Sequence, residues 1–508
     1  MTKRRSGSSI AVPSRDSSMD SVPTDLQPPA PEGAQAPSRR LLIVGALVSA
    51  CLLFLSTGLA PIPWLMLIAP VPILIPAYRH NMLLALGMVL MCWAISGLNL
   101  FGYLRGVLEL PLLIIALAIL TPAWHAALAF FISKRLHDRG QMILAAFALP
   151  AIWASLNYLD ARVSPHGSFG NLAYSQMDNV WLSQVLAWTG LWGLDFLLIW
   201  VPTALALAAA PTHAGKRRRL LALAVVPLLL VVAGATWRLQ PTTTGPSIRV
   251  AALAYDEPAF PMPGDDPATQ ALFQRIDQEL ADLYQQDVRY VVLPEVIARL
   301  DPAQIKAQSQ HWQSLADQYQ MTLVIGVAEL TKPNEHNAAW VIQPGQAQLR
   351  YFKQHLLPFF EDRYEAGTAS QVVDSDNLRF GTAICKDLDF PKLGRDYGLA
   401  GSQLLFVPAW DFGVDGSLHA RMAVFRGIEN GFAVLRAARR GELTLSDAQG
   451  RILASAPSSG GRLLADLPIA PHMPTLYLRI GNAFAWLCLL VSLLATVVAF
   501  WPRRAGTL

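Results

Sequence analysis

The chain has 508 residues, 53% of them apolar and only 15% charged, against about a quarter charged in an ordinary soluble domain. Its net charge of +4 is small, and Lys and Arg fall mostly in short gaps between apolar runs, which fits membrane topology rather than nucleic-acid binding. The average joins two regimes: residues 41–236 are nearly all apolar, and residues 247–475 are composed like a soluble domain.

Residues 1–38, rich in Ser, Pro, Ala and Gln, lack the apolar content for a core and are predicted to be a disordered cytoplasmic tail. They set the first apolar run too far along for an ordinary cleaved signal peptide, so that run is read as a retained anchor. A hydrocarbon layer of about 30 Å needs roughly 20 apolar residues per helix. A membrane domain of about seven helices is predicted over 39–238, with spans near 41–60, 62–78, 82–103, 107–133, 142–158, 181–210 and 219–237. An eighth span is predicted at 478–501. The second and fifth are short and contain proline, which leaves the count open by one. Basic residues mark every second connection: Arg39 and Arg40, Arg79 and His80, Lys134, Arg135 and Arg139, Lys216 to Arg219, and Arg503 and Arg504. The positive-inside rule then puts both termini in the cytoplasm and the soluble region outside, in the periplasm of a bacterium with two membranes. The 159–180 connection lies on that outer side, either seated beneath the soluble region or as an ordinary loop. Asp195 is almost the only charge within the spans. It is read as a helix-packing group, and a transport path would need more such charges.

From 247 to 470, short β-rich runs alternate with helical spacing. Strands are predicted at 248–254, 290–295, 321–328, 338–343, 379–385, 403–410, 432–438, 442–447 and 451–455, and helices at 268–286, 302–318 and 417–430. This is an α/β pattern, in which active residues collect at strand ends. Cys51, Cys92 and Cys488 lie in apolar runs and are expected to be buried packing residues. Cys385, the one cysteine of the soluble region, ends the strand RFGTAIC. Glu295 ends YVVLPE, and Lys353 lies in YFKQHLLPFFE. A carboxylate can take a thiol's proton, and an ammonium can stabilise both the thiolate and the oxyanion formed on attack. Together the three make a complete set for acyl transfer, although on position alone a strand-end Cys is more often a packing residue and a strand-end Glu more often a solvated one.

The order LPE, then KQHLLPFFE, then ICKDLDFP resembles the nitrilase superfamily with its Glu-Lys-Cys triad. Within it, the chain resembles the membrane-embedded apolipoprotein N-acyltransferases. PAWDFG (408–413), RGIENGFAVLRA (426–437), GNLAYSQ (170–176) and GLWGLDF (190–196) extend that similarity over nearly the whole chain after residue 40. The resemblance implies a multi-span α-helical membrane domain plus an α/β nitrilase-like αββα sandwich. It implies Cys385 as nucleophile, Glu295 as general base and Lys353 as oxyanion stabiliser. Glu361 and Asp387 would be supporting carboxylates, and Trp410 and Phe412 substrate contacts. It also implies a phospholipid acyl donor, a diacylglyceryl-cysteine lipoprotein acceptor in the inner membrane, and no metal or organic cofactor. A membrane-anchored amidase, passing the same thioester to water, is the alternative, as is an acyltransferase with another acceptor. Some positions depart from the family. The first strand continues as AALAYDEPAFP, with Phe260 the nearest aromatic. Lys386 and Asp387 stand where Tyr and Glu are usual, and Ala438, Arg439 and Arg440 replace an Asn-Thr segment. Lys386 is expected to point into solvent rather than towards the thiol.

Overall fold

The structure, a computed structural model, describes residues 39–209, 214–240, 246–375 and 378–502. The expected tail at 1–38 and the Arg503–Arg504 pair lie outside them. The apolar region forms α1 (Arg39–Ser56), α2 (Val71–Ala77), α3 (Met82–Gly97), α4 (Phe101–Gly106), α5 (Leu112–Asp138), α6 (Met142–Val163), α7 (Val180–Ser183), α8 (Leu186–Thr189), α9 (Leu191–Ala209) and α10 (Ala214–Arg238). With the C-terminal helix Ala483–Phe500, and with α3 and α4 joined by a 3-10 turn, seven helices among the described residues are long and apolar enough to cross a membrane.

The segment read as a second span is not one helix. It is a 3-10 turn, Pro63–Leu67, followed by the seven-residue α2. Prolines at 61, 63, 70, 72 and 76 withhold amide donors and break the helical ladder. The segment nevertheless runs back along α1: Ser56 Oγ meets Met66 Sδ at 3.6 Å, and the Ile73 amide donates to Ser49 Oγ at 3.0 Å. At its far end the Tyr78 carbonyl accepts from Lys134 Nζ at 3.0 Å, near the end of α5. Non-helical backbone at this depth is tolerable only where protein covers it, and α1, α3 and α9 cover it here. The 181–210 run also differs from one long helix: α7 and α8 are short, and α9 starts after a turn at Gly190. Nearly all of α9 is buried, whereas α10 and the C-terminal helix present Leu229, Leu230, Leu490 and Leu493 outwards. Cys92 and Cys488 are buried as expected. Cys51 is not; it lies exposed on the outer face of α1. Asp195 is fully buried, accepting from Trp153 Nε1 and Asn157 Nδ2, both at 2.9 Å, so it ties α6 to α9.

The soluble region contains β1 (Ser247–Leu253), α11 (Pro267–Gln285), β2 (Tyr290–Val292), β3 (Arg299–Leu300), α12 (Pro302–Tyr319), β4 (Thr322–Glu329), β5 (His336–Ile342), β6 (Leu349–Phe352), β7 (Val372–Ser375), β8 (Leu378–Thr382), α13 (Pro391–Leu399), β9 (Leu404–Trp410), α14 (Gly416–Asn430), β10 (Ala433–Arg439), β11 (Glu442–Ser446), β12 (Ile452–Pro457) and β13 (Arg462–Pro468). One sheet runs β13-β1-β2-β4-β5-β6 with β3 beside β4, and the other β12-β11-β10-β9-β8-β7. Side chains such as Val292, Val324 and Val341 from the first interleave with Phe380, Phe406 and Leu435 from the second. The helical spacing of Leu272, Ile276, Leu280 and Leu283 seals α11 onto the outer face of the first sheet, beside α12. α13 and α14 cover the second. The protein is therefore a multi-span helical membrane domain carrying an αββα sandwich.

Motifs far apart in sequence meet where the two parts join. The Glu429 carboxylate accepts from the Leu191 amide at 2.8 Å, at the positive end of the α9 dipole. Arg426 pairs with Glu429 at 2.9 Å and donates to Tyr174 Oη at 3.1 Å. Tyr103 Oη donates to Asp415 at 2.7 Å. Of the two readings of the 159–180 connection, the seated one holds. Ser168 donates to the Asp389 carbonyl from both its amide and its hydroxyl, at 2.9 and 2.6 Å. Gly167 has φ +54°, and a Cβ there would lie 2.7 Å from that same carbonyl, so the close approach needs glycine.

Candidate active site

Two consecutive carbonyls of β9 anchor the site. The Ala409 carbonyl accepts from the Glu295 amide at 3.2 Å. The Trp410 carbonyl accepts from Cys385 Sγ at 3.5 Å. The carboxylate and the thiol, brought from different sheets, are thereby fixed to the same strand end. Glu295 follows β2 and lies over β4, where a Cβ on Gly326 would fall 2.6 Å from the Glu295 Cα. Both anchors use strained backbone: Cys385 has φ +42° and Val296, next to Glu295, has φ +47°. For residues with a Cβ such conformations cost about 1–3 kcal/mol each and mark positions held by their surroundings.

Lys353 follows β6. Its Nζ donates to Glu295 Oε1 and to Glu361 Oε2, each at 2.7 Å. Asn337, on β5, donates to the same two carboxylates, also at 2.7 Å. Glu361 further accepts from the Leu357 amide at 2.7 Å, folding the lysine loop onto itself. Glu295, Asn337 and Lys353 are almost wholly buried. Burial alone would force Lys353 towards neutrality, but the charges of Glu295 and Glu361 outweigh it and hold the ammonium well above the usual lysine range. Burial pushes the Glu295 carboxyl up, against the pull of Lys353. The Cys385 thiol is also pushed well up, by burial first and then by the Glu295 charge, with Lys353 acting in the opposite sense. The resting sulfur is therefore held as a protonated thiol.

Asp387 does not touch the thiol. It accepts from Tyr351 Oη, the Gln354 and His355 amides, His355 Nδ1 and the Ile384 amide, all between 2.7 and 3.1 Å. It thus clamps the lysine loop to the turn that carries Cys385. Asp387→Ala, which orphans several buried donors, should cost on the order of 3–5 kcal/mol and lower kcat, as read from chemical denaturation and steady-state kinetics. Lys386 corrects the expectation from sequence. It is buried, 3.4 Å from Asp389 Oδ2 and 3.3 Å from His166 Nδ1, in the seam with the 159–180 connection rather than in solvent. Phe412 joins an apolar cluster of Tyr103, Leu104, Ile115 and Ile119 from the membrane helices. Its ring lies 5.4 Å from that of Phe360 on the lysine loop. Trp410 packs near Phe260 at 6.3 Å. Among the described residues no group of His, Cys, Asp or Glu is placed to hold a metal.

Two residues of the site have no signal in the sequence reading. Asn337 is an ordinary strand residue until the fold sets it between two carboxylates. Asp411 makes a two-pronged pair with Arg436, at 2.5 and 2.8 Å, close to Cys385. PAWDFG and VLRA give only their positions.

The carbon-nitrogen hydrolase family model matches residues 250–470. The model of the apolipoprotein N-acyltransferase N-terminal domain matches residues 49–204. The chain belongs to the apolipoprotein N-acyltransferase branch of the carbon-nitrogen hydrolase family. This acyltransferase is 26% identical to an apolipoprotein N-acyltransferase of Geobacter metallireducens, over 91% of its own length and 95% of the relative's. It is 30% identical to a deaminated glutathione amidase of Synechocystis, over 40% of the chain and 90% of the relative. It is similar in structure to an amidase from Nesterenkonia sp., with 21% identity, 48% of the chain and 97% of the amidase covered, and a TM-score of 0.41.

Proposed function

We propose that the enzyme moves a fatty acyl group from a phospholipid, through a thioester on Cys385, to the N-terminal amine of a diacylglyceryl-cysteine lipoprotein. The observation that carries this is where the nucleophile sits: its turn is bonded, through Asp389 and Ser168, to the end of a membrane bundle. Each methylene buried in lipid is worth about 0.8 kcal/mol, so acylated substrates stay in the bilayer and are best taken from it sideways.

In the first half-reaction Sγ of Cys385 attacks the ester carbonyl. The thiol proton passes to Glu295, whose hydrogen bonds from Lys353 and Asn337 both land on Oε1 and leave Oε2 for it. The carbonyl oxygen becomes an oxyanion beside the Lys353 ammonium. The C–O bond breaks, and the leaving alkoxide takes the proton from Glu295. In the second, the lipoprotein amine attacks the thioester and gives a proton to Glu295. The C–S bond breaks, and the sulfur takes that proton back. Glu361 and Asn337 hold Lys353 and Glu295 in register. Phe412 and Trp410 line the approach to the thiol.

The soluble domain faces the periplasm in this reading, and both termini face the cytoplasm. Arg79, Lys134, Arg135 and Arg139 sit at one end of the bundle, where Arg139 donates to the Ala499 carbonyl at 2.9 Å. The start of α10, with Lys216 to Arg219, lies about 36 Å along the helix from Arg238, which reaches Gln184 beneath the soluble domain. Thiol-labelling of a cysteine placed just after residue 245 should occur from outside the cell; labelling only from the cytoplasm would reverse the topology.

The Glu295 role predicts a pH profile. With the Glu295 carboxyl above its ordinary value of 4.5, kcat/KM should rise through a correspondingly displaced acid limb. Asn337 supplies a hydrogen bond that holds this carboxyl down, so Asn337→Ala should move the limb to still higher pH. An unmoved limb would remove Glu295 as the base.

The function itself is tested with a phospholipid labelled in its acyl chain and a diacylglyceryl-cysteine peptide. Label in the peptide amide is expected. Label appearing only as free fatty acid would make the enzyme a membrane hydrolase.

A further inference from the structure

Three arginines of the soluble domain are fully buried: Arg426, Arg436 and Arg439. The first two are paired, Arg426 with Glu429 and Arg436 with Asp411. Arg439 is different. It is 1% exposed, and its Nε and Nη2 have no hydrogen-bond partner among the described residues. Its guanidinium lies over the Trp410 ring, 5.1 Å from the centroid. Burial pushes it down to about 10, the charges of Asp256 and Glu257 acting the other way, so it is still a cation at neutral pH. Asp256 is occupied elsewhere, accepting from the Arg440 amide at 2.9 Å and Ser458 Oγ at 3.1 Å. A buried guanidinium with free N–H groups is expensive to keep unless something arrives to satisfy it.

Its place says what arrives. Arg439 ends β10 and is the register partner of Trp410 on β9. Trp410 carries the carbonyl that receives the Cys385 thiol. An anion on Arg439 is therefore held one strand away from the residue that anchors the nucleophile. In a glycerophospholipid the phosphodiester lies one glycerol unit from its acyl esters. A guanidinium fork matches phosphate oxygens better than any other side chain does.

We infer that Arg439 is the binding residue for the phosphodiester of the acyl donor, seating the glycerol so that an ester carbonyl meets Cys385. This rests on the acyl-transfer reading above. The shared chemistry is a phosphate anion, and free phosphate is the other source to separate.

The test uses the full chain in an uncharged detergent and non-cleavable ligands, so no turnover is needed. Binding of a short diether glycerophosphoethanolamine, of the same diether glycerol without phosphate, and of inorganic phosphate is measured by native mass spectrometry. Arg439→Gln should weaken the phospholipid at least tenfold, which is about 1.4 kcal/mol, and leave the phosphate-free diether within twofold. Arg439→Lys should fall between. Equal loss of both diethers would make Arg439 structural, and an unchanged phospholipid affinity would remove it from the site. Inorganic phosphate binding that depends on Arg439, with the phospholipid indifferent to it, would also overturn the inference. Arg439-dependent phospholipid binding without any Cys385 adduct from the ester form would instead count against the acyl-transfer reading alone.

Discussion

Cys385→Ala should abolish acyl transfer, lowering kcat by about ten-thousand-fold or more, because the remaining groups have no nucleophile to assist. Stability should separate this loss from damage to the fold. The residue sits at φ +42°, a conformation costly to any side chain with a Cβ. Cys385→Ala keeps that strain and should unfold close to the parent. Cys385→Gly removes it and should be more stable than Cys385→Ala by about 1 kcal/mol, while equally inactive. Thermal or denaturant unfolding of the three proteins side by side checks the order. If the glycine variant is the least stable, the strain is not being held against the nucleophile.

Lys353→Met should damage both activity and stability. Among the described residues the ammonium is the one cation paired with Glu295 and Glu361, and the methionine side chain fills nearly the same volume without it. Removing one partner of a buried ionic cluster typically costs about 3–5 kcal/mol. Losing the oxyanion partner costs a further 100-fold to 1000-fold in rate, in order of magnitude. The pH dependence has a definite sign. In the parent, Lys353 is held well above its ordinary 10.5, so its contribution is fully present below 10.5 and fades as pH rises through the higher folded value. In the variant that contribution is gone. The Glu295 carboxyl, already raised above 4.5, rises further, so the folded state binds the proton more tightly than the unfolded one. Stability of the variant should therefore recover on acidification from neutral pH towards 5. Denaturation midpoints at several pH values would show it, and a variant equally stable at pH 5 and pH 8 would contradict the assignment of charges.

Some of this was legible in the residues and some was not, for physical reasons. The strands ending on Glu295 and Cys385 announce themselves because buried strands are short apolar runs. A polar residue at their ends therefore stands out. The helix α11 shows its buried face at three- and four-residue spacing. The strand β13 does not show itself: its burial alternates weakly, and its partner β1 lies more than two hundred residues earlier, with Ser247 opposite Pro468. Apolar length reads 62–78 as a span, its prolines leave that count open, and in the structure they break the helix. The segment nevertheless runs back along α1. Lys386 reads as a surface cation in the sequence because lysines usually are. It is buried because Asp389, three residues on in the same turn, pairs with it and His166 comes from the 159–180 connection to meet it. Asn337 and the Asp411–Arg436 pair show the general limit. Their importance lies in which carboxylates and strands surround them, and only the fold supplies that.

An acyl-enzyme on Cys385 is the species that acyl transfer by this route requires. Purified protein would be given a phospholipid without acceptor, and the peptide containing Cys385 weighed by mass spectrometry. A diacylglyceryl-cysteine peptide would then be added. A thioester of one fatty acyl chain on Cys385, lost on that addition with the same chain appearing on the peptide's amino group, is the predicted result. An unmodified Cys385 throughout, with acyl transfer still proceeding, would contradict it.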